Sequence, residues 1–349
     1  MTDIFHAAAR ADREAARQIL QRLGAGQPIT RRHLNEAMVA AYGGSDADGR
    51  WTQRESFEVL EHALALHFRV SERTLSSFQD ARPIIELATC LPTQTIRSEE
   101  QIEWQQFSTP VDIAAVAVLL ANVQPDDVVL EPSAGNVLLV AQLGAHQTLH
   151  LNELDPVRRR RLADVFPDAI VTGHDGAALN SSLGNLERPT LIIMNPPFSR
   201  SLGRGADDYA AVRHLQAALR RLRPGGRLVA IMPDWFGPSA WMRDQYETVL
   251  RDVTVRTTFR LEKCYTKHGT SIAIGLFVID KMPGRRRRRS SSVHPWPNCL
   301  MRSRLPSARH RAPTCPPRFQ SVRRESRCSG RSKAADPRRV PIMRPCATT

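Results

Sequence analysis

Cysteine is scarce here, and its spacing suits no framework. The six cysteines lie at positions 90, 264, 299, 315, 328 and 346, and none forms a Cys-x-x-Cys pair. This argues against a disulfide scaffold or a zinc site as the organising feature, and no metal is expected. No run of 18 apolar residues occurs, so no membrane-spanning helix and no membrane partner are expected. Met1-Thr2-Asp3-Ile4 leads into mixed charge, not into an apolar signal core. The expected setting is a reducing cytoplasm. A Gly-x-x-x-x-Gly-Lys phosphate loop is also missing.

Charge is abundant but unevenly placed. The chain carries 49 Lys and Arg against 35 Asp and Glu, a formal charge of +14. Residues 285–349 hold 18 of the basic and 2 of the acidic residues, which leaves 31 and 33 in residues 1–284. The first 284 residues are therefore close to neutral. The basic balance belongs to the tail and says nothing about nucleic-acid binding by the rest. From Arg285 onward Arg, Pro, Ser and Cys follow one another with no helical or strand period. Such a segment cannot bury enough surface to order itself, so a disordered tail is expected over 283–349. A phosphate-gripping basic arm is one reading. Translation of a GC-rich gene in a shifted frame is the other, and the abrupt end of periodicity after a well-formed strand favours it.

Two textures precede the tail. Residues 1–102 are rich in Ala, Arg, Glu, Gln and Leu, with apolar residues at helical spacing over 15–23 and 57–68. Three to five helices are expected there, broken by a loop at 40–46. Residues 103–282 alternate instead. Strand patterns at 128–131, 149–153, 169–172, 191–194 and 228–232 are separated by helical patterns at 136–143, 156–165 and 208–222. That alternation predicts an α/β fold with a mostly parallel sheet covered by helices on both faces. Residues 253–261 and 271–280, separated by Gly269, are placed to close the sheet as an antiparallel hairpin.

Chemistry concentrates after the strand Leu191-Ile192-Ile193-Met194. A continuous apolar run bounded by breakers reads as a strand buried on both faces. Asn195-Pro196-Pro197-Phe198 follows, and the prolines cannot extend a ladder. In open α/β sheets, sites sit just past the carboxyl ends of the strands. An exocyclic amine on a conjugated ring is a poor nucleophile, because its lone pair is delocalised. The side-chain carbonyl of Asn195 and the backbone carbonyl of Pro196 could each accept an N–H from such an amine and favour a pyramidal nitrogen. The ring of Phe198 could stack on the planar base, a contact worth about 1–3 kcal/mol. A strand ending in a proline turn is the plain alternative.

Upstream lies a set suited to a nucleoside. Glu131-Pro132-Ser133-Ala134-Gly135-Asn136 leaves the first strand, and its small residues permit close backbone approach to a ligand. Glu153 ends the second strand about twenty residues later, where a carboxylate can hold ribose hydroxyls. Asp175 ends the third, where a carboxylate can accept from an adenine amine. Phe107-Ser108-Thr109-Pro110 precedes the helix expected at 111–121. Taken one at a time, these are also ordinary strand ends and helix caps. Their order, all ahead of Asn195, is the stronger signal.

Together these residues resemble the S-adenosylmethionine-dependent amino methyltransferases, and specifically the adenine-N6 DNA methyltransferases with an Asn-Pro-Pro-Phe or Asn-Pro-Pro-Tyr motif. The similarity spans roughly 107–280 and is greatest to the methylase part of large phage- or plasmid-borne methylase–helicase proteins. It implies a Rossmann-like methyltransferase sheet, mostly parallel with an antiparallel final strand, bearing an N-terminal helical region. By this resemblance Asn195, Pro196, Pro197 and Phe198 are the catalytic tetrad. Phe107, Thr109 and Pro110 contact the methionine part of S-adenosylmethionine, and Glu131, Pro132, Ser133, Ala134, Gly135 and Asn136 form its loop. Glu153 holds the ribose, Asp175 the adenine, and Asn195 also borders the cofactor. The expected partner is DNA with an adenine target, and a helicase region, absent here, is implied as a missing partner. Protein-glutamine or RNA N-methylation is the alternative, as is a truncated remnant that only binds. In one place the chain departs from the family pattern: Val137 stands where the loop has a second glycine. A β-branched residue there crowds the cofactor if the backbone needs positive φ.

Overall fold

Seven strands form one sheet: β1 (Val128–Glu131), β2 (Thr148–Asn152), β3 (Ile170–Thr172), β4 (Leu191–Met194), β5 (Arg227–Pro233), β6 (Thr254–Leu261) and β7 (Ile274–Asp280). The computed structural model describes residues 2–71, 75–94, 108–144, 147–198, 200–201, 205–268 and 272–281. The tail expected from 283 and the expected cofactor residue Phe107 lie outside the described residues. The sheet order is β3-β2-β1-β4-β5-β7-β6. Strands β1 to β5 pair in parallel, while β7 runs antiparallel to both β5 and β6. The mostly parallel α/β sheet with an antiparallel end is thus present, and the hairpin closes it as expected. The chain winds from β1 outward to β3, then returns to β4 on the other side of β1. The carboxyl ends of β1 and β4 therefore flank the switch point of the sheet, where such folds leave a crevice.

Both faces of the sheet are covered, which explains why β1 and β4 read as unbroken apolar runs. Side chains alternate between two cores. Val129, Leu191, Ile193, Val229 and Ile231 enter one, whereas Leu130, Ile192, Met194, Leu228 and Ala230 enter the other. The second core is roofed by α7 (Ala210–Arg221) and α8 (Arg243–Val249). The first is roofed by α5 (Val111–Ala121) and α6 (Pro156–Val165), together with the helices of the N-terminal region. Those are α1 (Thr2–Gly24), α2 (Arg31–Tyr42), α3 (Gln53–Val70) and α4 (Phe78–Cys90). Burying each Val, Leu or Ile contributes about 1.5–3 kcal/mol, and here one cluster unites these helices with the sheet face.

The helix starts follow from local sequence. Thr30, Thr52 and Ser77 each accept from a backbone N–H three residues on, and the residue at that third position answers the cap's own N–H. The break at 40–46 is a stop at Gly43, which takes a left-handed φ of 69° after α2. The ionic contacts have no such local signal. Glu58 on α3 receives Arg158 at 2.8 Å, Arg161 at 2.6 Å and Arg54 at 3.2 Å. Arg161 also meets Asp12 of α1 at 2.8 Å, and the Tyr42 hydroxyl donates to Asp12 at 2.7 Å. This buried network joins α1 and α3 to α6.

One expected element does not form. Residues 136–143 are a chain of tight turns rather than a helix. Val137, Val140 and Leu143 donate to carbonyls three residues back, and Ala141 donates to Val137. Val137 takes a φ of 68°, so no right-handed helix runs through that position.

Candidate active site

The site is built where β1, β2, β3 and β4 end. Glu131, the last residue of β1, is 1% exposed, and its Oε2 finds no hydrogen-bond donor among the described residues. Burial and then the charge of Glu153 hold its carboxyl well above the usual carboxylate range. The buried Pro132 accepts at its carbonyl from Asn152 at 3.0 Å, and Ala134 N–H donates to the Asn152 carbonyl at 2.8 Å. Gly135 turns with φ of 55° and donates its N–H to Glu153 Oε2 at 2.7 Å. A Cβ built there would meet no atom within 4 Å, so the turn faces open space. The other oxygen of Glu153 accepts from Asp155 N–H at 2.8 Å. Asp175 caps the turn that follows it, accepting from Ala177 N–H at 2.9 Å. The half-buried Ser133 stands 3.5 Å from Nδ1 of His214 on α7, whose imidazole is pushed down to about 4 by burial.

At the end of β4, Asn195 donates from Nδ2 to Thr109 Oγ1 at 3.0 Å and to the Tyr265 hydroxyl at 3.2 Å. Its Oδ1 accepts from none of the described residues. Pro196 is buried and Pro197 half-buried. Phe198, also half-buried, meets Trp235 edge to face, with ring centroids 6.2 Å apart. Thr109 is buried beside Pro110, whose carbonyl accepts the first backbone bond of α5, from Ala114, at 2.9 Å. Asn136 is turned the other way. Its Nδ2 donates to Glu61 on α3 at 2.7 Å, and its Oδ1 accepts from Arg161 at 3.4 Å.

Four residues without a motif complete the arrangement. Asn152 uses its whole amide: Nδ2 donates to the carbonyls of Pro132 and His174, and Oδ1 accepts from Thr172 and from His174 N–H. It ties the ends of β1, β2 and β3 together. Glu61 accepts on one oxygen from Ser108 at 2.6 Å and from Asn136 at 2.7 Å, joining the segment ahead of α5 to the loop after β1. A signal exists for Glu61, since Phe57, Leu60, Leu64 and Phe68 define a buried stripe and Glu61 stands on it. Trp235 follows β5 at the strand-end edge. Tyr265 sits on a loop moored by Lys267, whose ammonium donates to the carbonyls of Ala88, Thr89 and Leu91 at the end of α4. No local pattern marks Tyr265.

The strain at Val137 has a measurable consequence. A β-branched residue in the left-handed region costs on the order of 1–3 kcal/mol. Val137→Gly removes that strain while losing a side chain that is 2% exposed. Val140, in the same buried run, is 0% exposed, and it does not share the positive φ. In urea unfolding, Val137→Gly should therefore be milder than Val140→Gly by about 1–3 kcal/mol. Equal losses would show that the loop relaxes freely around residue 137.

No protein-family model and no curated protein matches the chain. Among solved structures it is similar to a candidate RNA methyltransferase from Pyrococcus horikoshii, with 18% identity and a TM-score of 0.44, over 59% of this chain and 100% of that one. It is also similar to a candidate class I S-adenosylmethionine-dependent methyltransferase from Listeria monocytogenes, with 13% identity and a TM-score of 0.43, over 82% and 92%. A third is the modification subunit of a candidate type I restriction enzyme from Vibrio vulnificus YJ016, with 16% identity and a TM-score of 0.44, over 76% of this chain and 63% of that one.

Proposed function

We propose that the chain is an S-adenosylmethionine-dependent N-methyltransferase whose target is the N6 amine of adenine in DNA. The observation that carries the reading is the amide of Asn195. Both Nδ2 protons are engaged by Thr109 and Tyr265, and the carbonyl oxygen at the strand edge meets no donor among the described residues. A target amine donates; it has no use for a second donor. Asn195 therefore takes an N–H from the amine, and the Pro196 carbonyl is the natural acceptor for the other. Phe198 offers its ring to the planar base. The base must leave the duplex to reach this edge, because its amine is otherwise paired.

The residues at the ends of β1 to β3 fit the cofactor. Glu131 is a buried carboxyl with one oxygen that meets no donor among the described residues, and Gly135 in the loop that follows faces open space. Glu153 retains acceptor capacity for ribose hydroxyls beyond its two backbone bonds, and Asp175 for an adenine amine. When bound, S-adenosylmethionine supplies the methyl group: the new N–CH3 bond forms as the S–CH3 bond breaks, and the bonding pair stays with sulfur. The protein holds the nitrogen in line, excludes water with Phe198 and its neighbours, and lets the surplus N–H proton leave to solvent.

The test is incubation of the full chain with methyl-labelled cofactor and DNA, RNA and protein substrates, followed by hydrolysis to monomers. The expected product is N6-methyladenine from DNA. Label in RNA or in glutamine side chains would move the substrate; cofactor binding with no label in any substrate would leave a binding remnant.

Glu131 adds a pH signature. Its folded pKa is raised, so it holds a proton at pH values where an ordinary Glu has lost it. A cationic ligand beside it favours the carboxylate, so cofactor binding should release protons and tighten as pH rises from about 4.5 toward the raised value. In the free protein the sign is opposite: the folded state binds more protons than the unfolded, so this group's contribution to stability falls as pH rises through that window. Calorimetry in buffers of different ionisation enthalpy would count the protons, and Glu131→Gln should abolish the release. Release unchanged in Glu131→Gln would assign it to another group.

A further inference from the structure

An asparagine amide can turn over with almost no change of shape, and the two orientations present opposite chemistry. At residue 195 one orientation offers a carbonyl to the target amine and the other offers two N–H groups. Two hydrogen bonds hold the first: Nδ2 donates to Thr109 at 3.0 Å and to Tyr265 at 3.2 Å. In the flipped amide both hydroxyls would have to spend their single protons on Oδ1, whereas here both accept and keep those protons for other acceptors. The Tyr265 hydroxyl is well placed for this task. The residue is 2% exposed, and its loop is pinned through Lys267 to the end of α4 and through the Lys267 carbonyl, which accepts from Gln94 N–H at 2.8 Å. Thr109 is equally fixed, since Ser108 beside it is bonded to Glu61.

We propose that Tyr265, acting with Thr109, is a positioning residue that locks the amide of Asn195 with its carbonyl oxygen toward the target amine. The proposal rests on the methyl-transfer reading for its purpose, but not for its geometry. The loop at 263–268 and helix α4 are thereby tied to catalysis, although neither carries a motif.

Tyr265→Phe deletes one oxygen and keeps the ring; Thr109→Val does the same for the other hydroxyl. Each should lower kcat about five- to tenfold, the scale of one lost hydrogen bond, and Tyr265→Phe should leave KM for DNA and the cofactor Kd within about twofold of the parent. In protein labelled with 15N at asparagine side chains, the Asn195 Nδ2 protons should exchange with solvent faster in both variants. Folded variants with unchanged kcat and unchanged amide exchange would overturn the proposal. So would a parallel loss of thermal stability, cofactor affinity and kcat in Tyr265→Phe, which marks a merely structural role. Should the unaltered protein transfer no methyl group to any substrate, the methyl-transfer reading fails, and the exchange measurement still decides whether Tyr265 holds the amide. If Tyr265→Phe does not fold, Thr109→Val carries the same two readouts.

Discussion

Asn195→Ala should lower methyl transfer by about 10²–10³-fold or more while leaving cofactor affinity nearly intact. The magnitude is that of removing one preorganised polar group aimed at the reacting centre. The selectivity follows from position. Asn195 ends β4, whereas the carboxylates suited to a nucleoside end β1, β2 and β3. Asp175→Ala should show the converse. It removes an acceptor for an adenine amine, a charge-assisted bond worth about 1.5–3 kcal/mol, and so should weaken cofactor binding more than it slows turnover at saturation. Cofactor Kd by calorimetry and single-turnover rates at saturating cofactor separate the two. If Asn195→Ala weakens the cofactor as much as Asp175→Ala does, the division of labour along the strand ends is wrong.

Glu58→Ala should be among the most destabilising single changes in the chain, at about 3–5 kcal/mol. Glu58 stands between Arg158 and Arg161, which are each 5% exposed, and among the described residues it is the one acid bonded to Arg158. Taking away the carboxylate strands one buried guanidinium outright and leaves the other with Asp12. Neither arginine has a partner for its Nε among the described residues, so neither has a bond there to fall back on. The thermal midpoint should fall on the order of 10 °C. Acidification gives the same contact a second test. Burial pushes the Glu58 carboxyl up, but Arg158, Arg161 and Arg54 outweigh it and hold it at about 2. A depressed carboxylate contributes stability that is present above the unfolded value of about 4.5 and disappears as pH falls toward 2. The acid limb of a urea-unfolding profile should therefore flatten in Glu58→Ala. A loss below about 1 kcal/mol would mean that water reaches the arginines and the network is not buried in solution.

The sheet is legible in the sequence because its signal is local. Strands β1 and β4 match their expected bounds, since runs such as Val128–Glu131 and Leu191–Met194 are apolar almost throughout and end at breakers. Helices α5 and α6 do the same, with Pro110 and the Asp155-Pro156 pair marking their starts. Local pattern misleads over residues 136–143, which carry a helical distribution of apolar side chains yet form successive turns around the left-handed Val137. The departure from glycine at 137 is visible in the sequence. That a valine there is left-handed and buried among distant residues is visible only in the packed structure.

The sequence by itself determined which residue types stand at the strand ends, because strand period and breakers place Glu131, Glu153, Asp175 and Asn195 without reference to anything distant. Only the tertiary structure decided how those groups are held. The orientation of the Asn195 amide comes from Tyr265, seventy residues away, and the loop after β1 is braced by Glu61, seventy-five residues before Asn136. A helix period can show that Glu61 faces inward, but not what it meets there. Hydrogen bonds of this kind depend on which surfaces the packed helices bring within about 3 Å, and no spacing along the chain encodes that distance. The N-terminal helices, which carry no motif, are for that reason part of the site: through Glu61 and Lys267 they hold both sides of it in place.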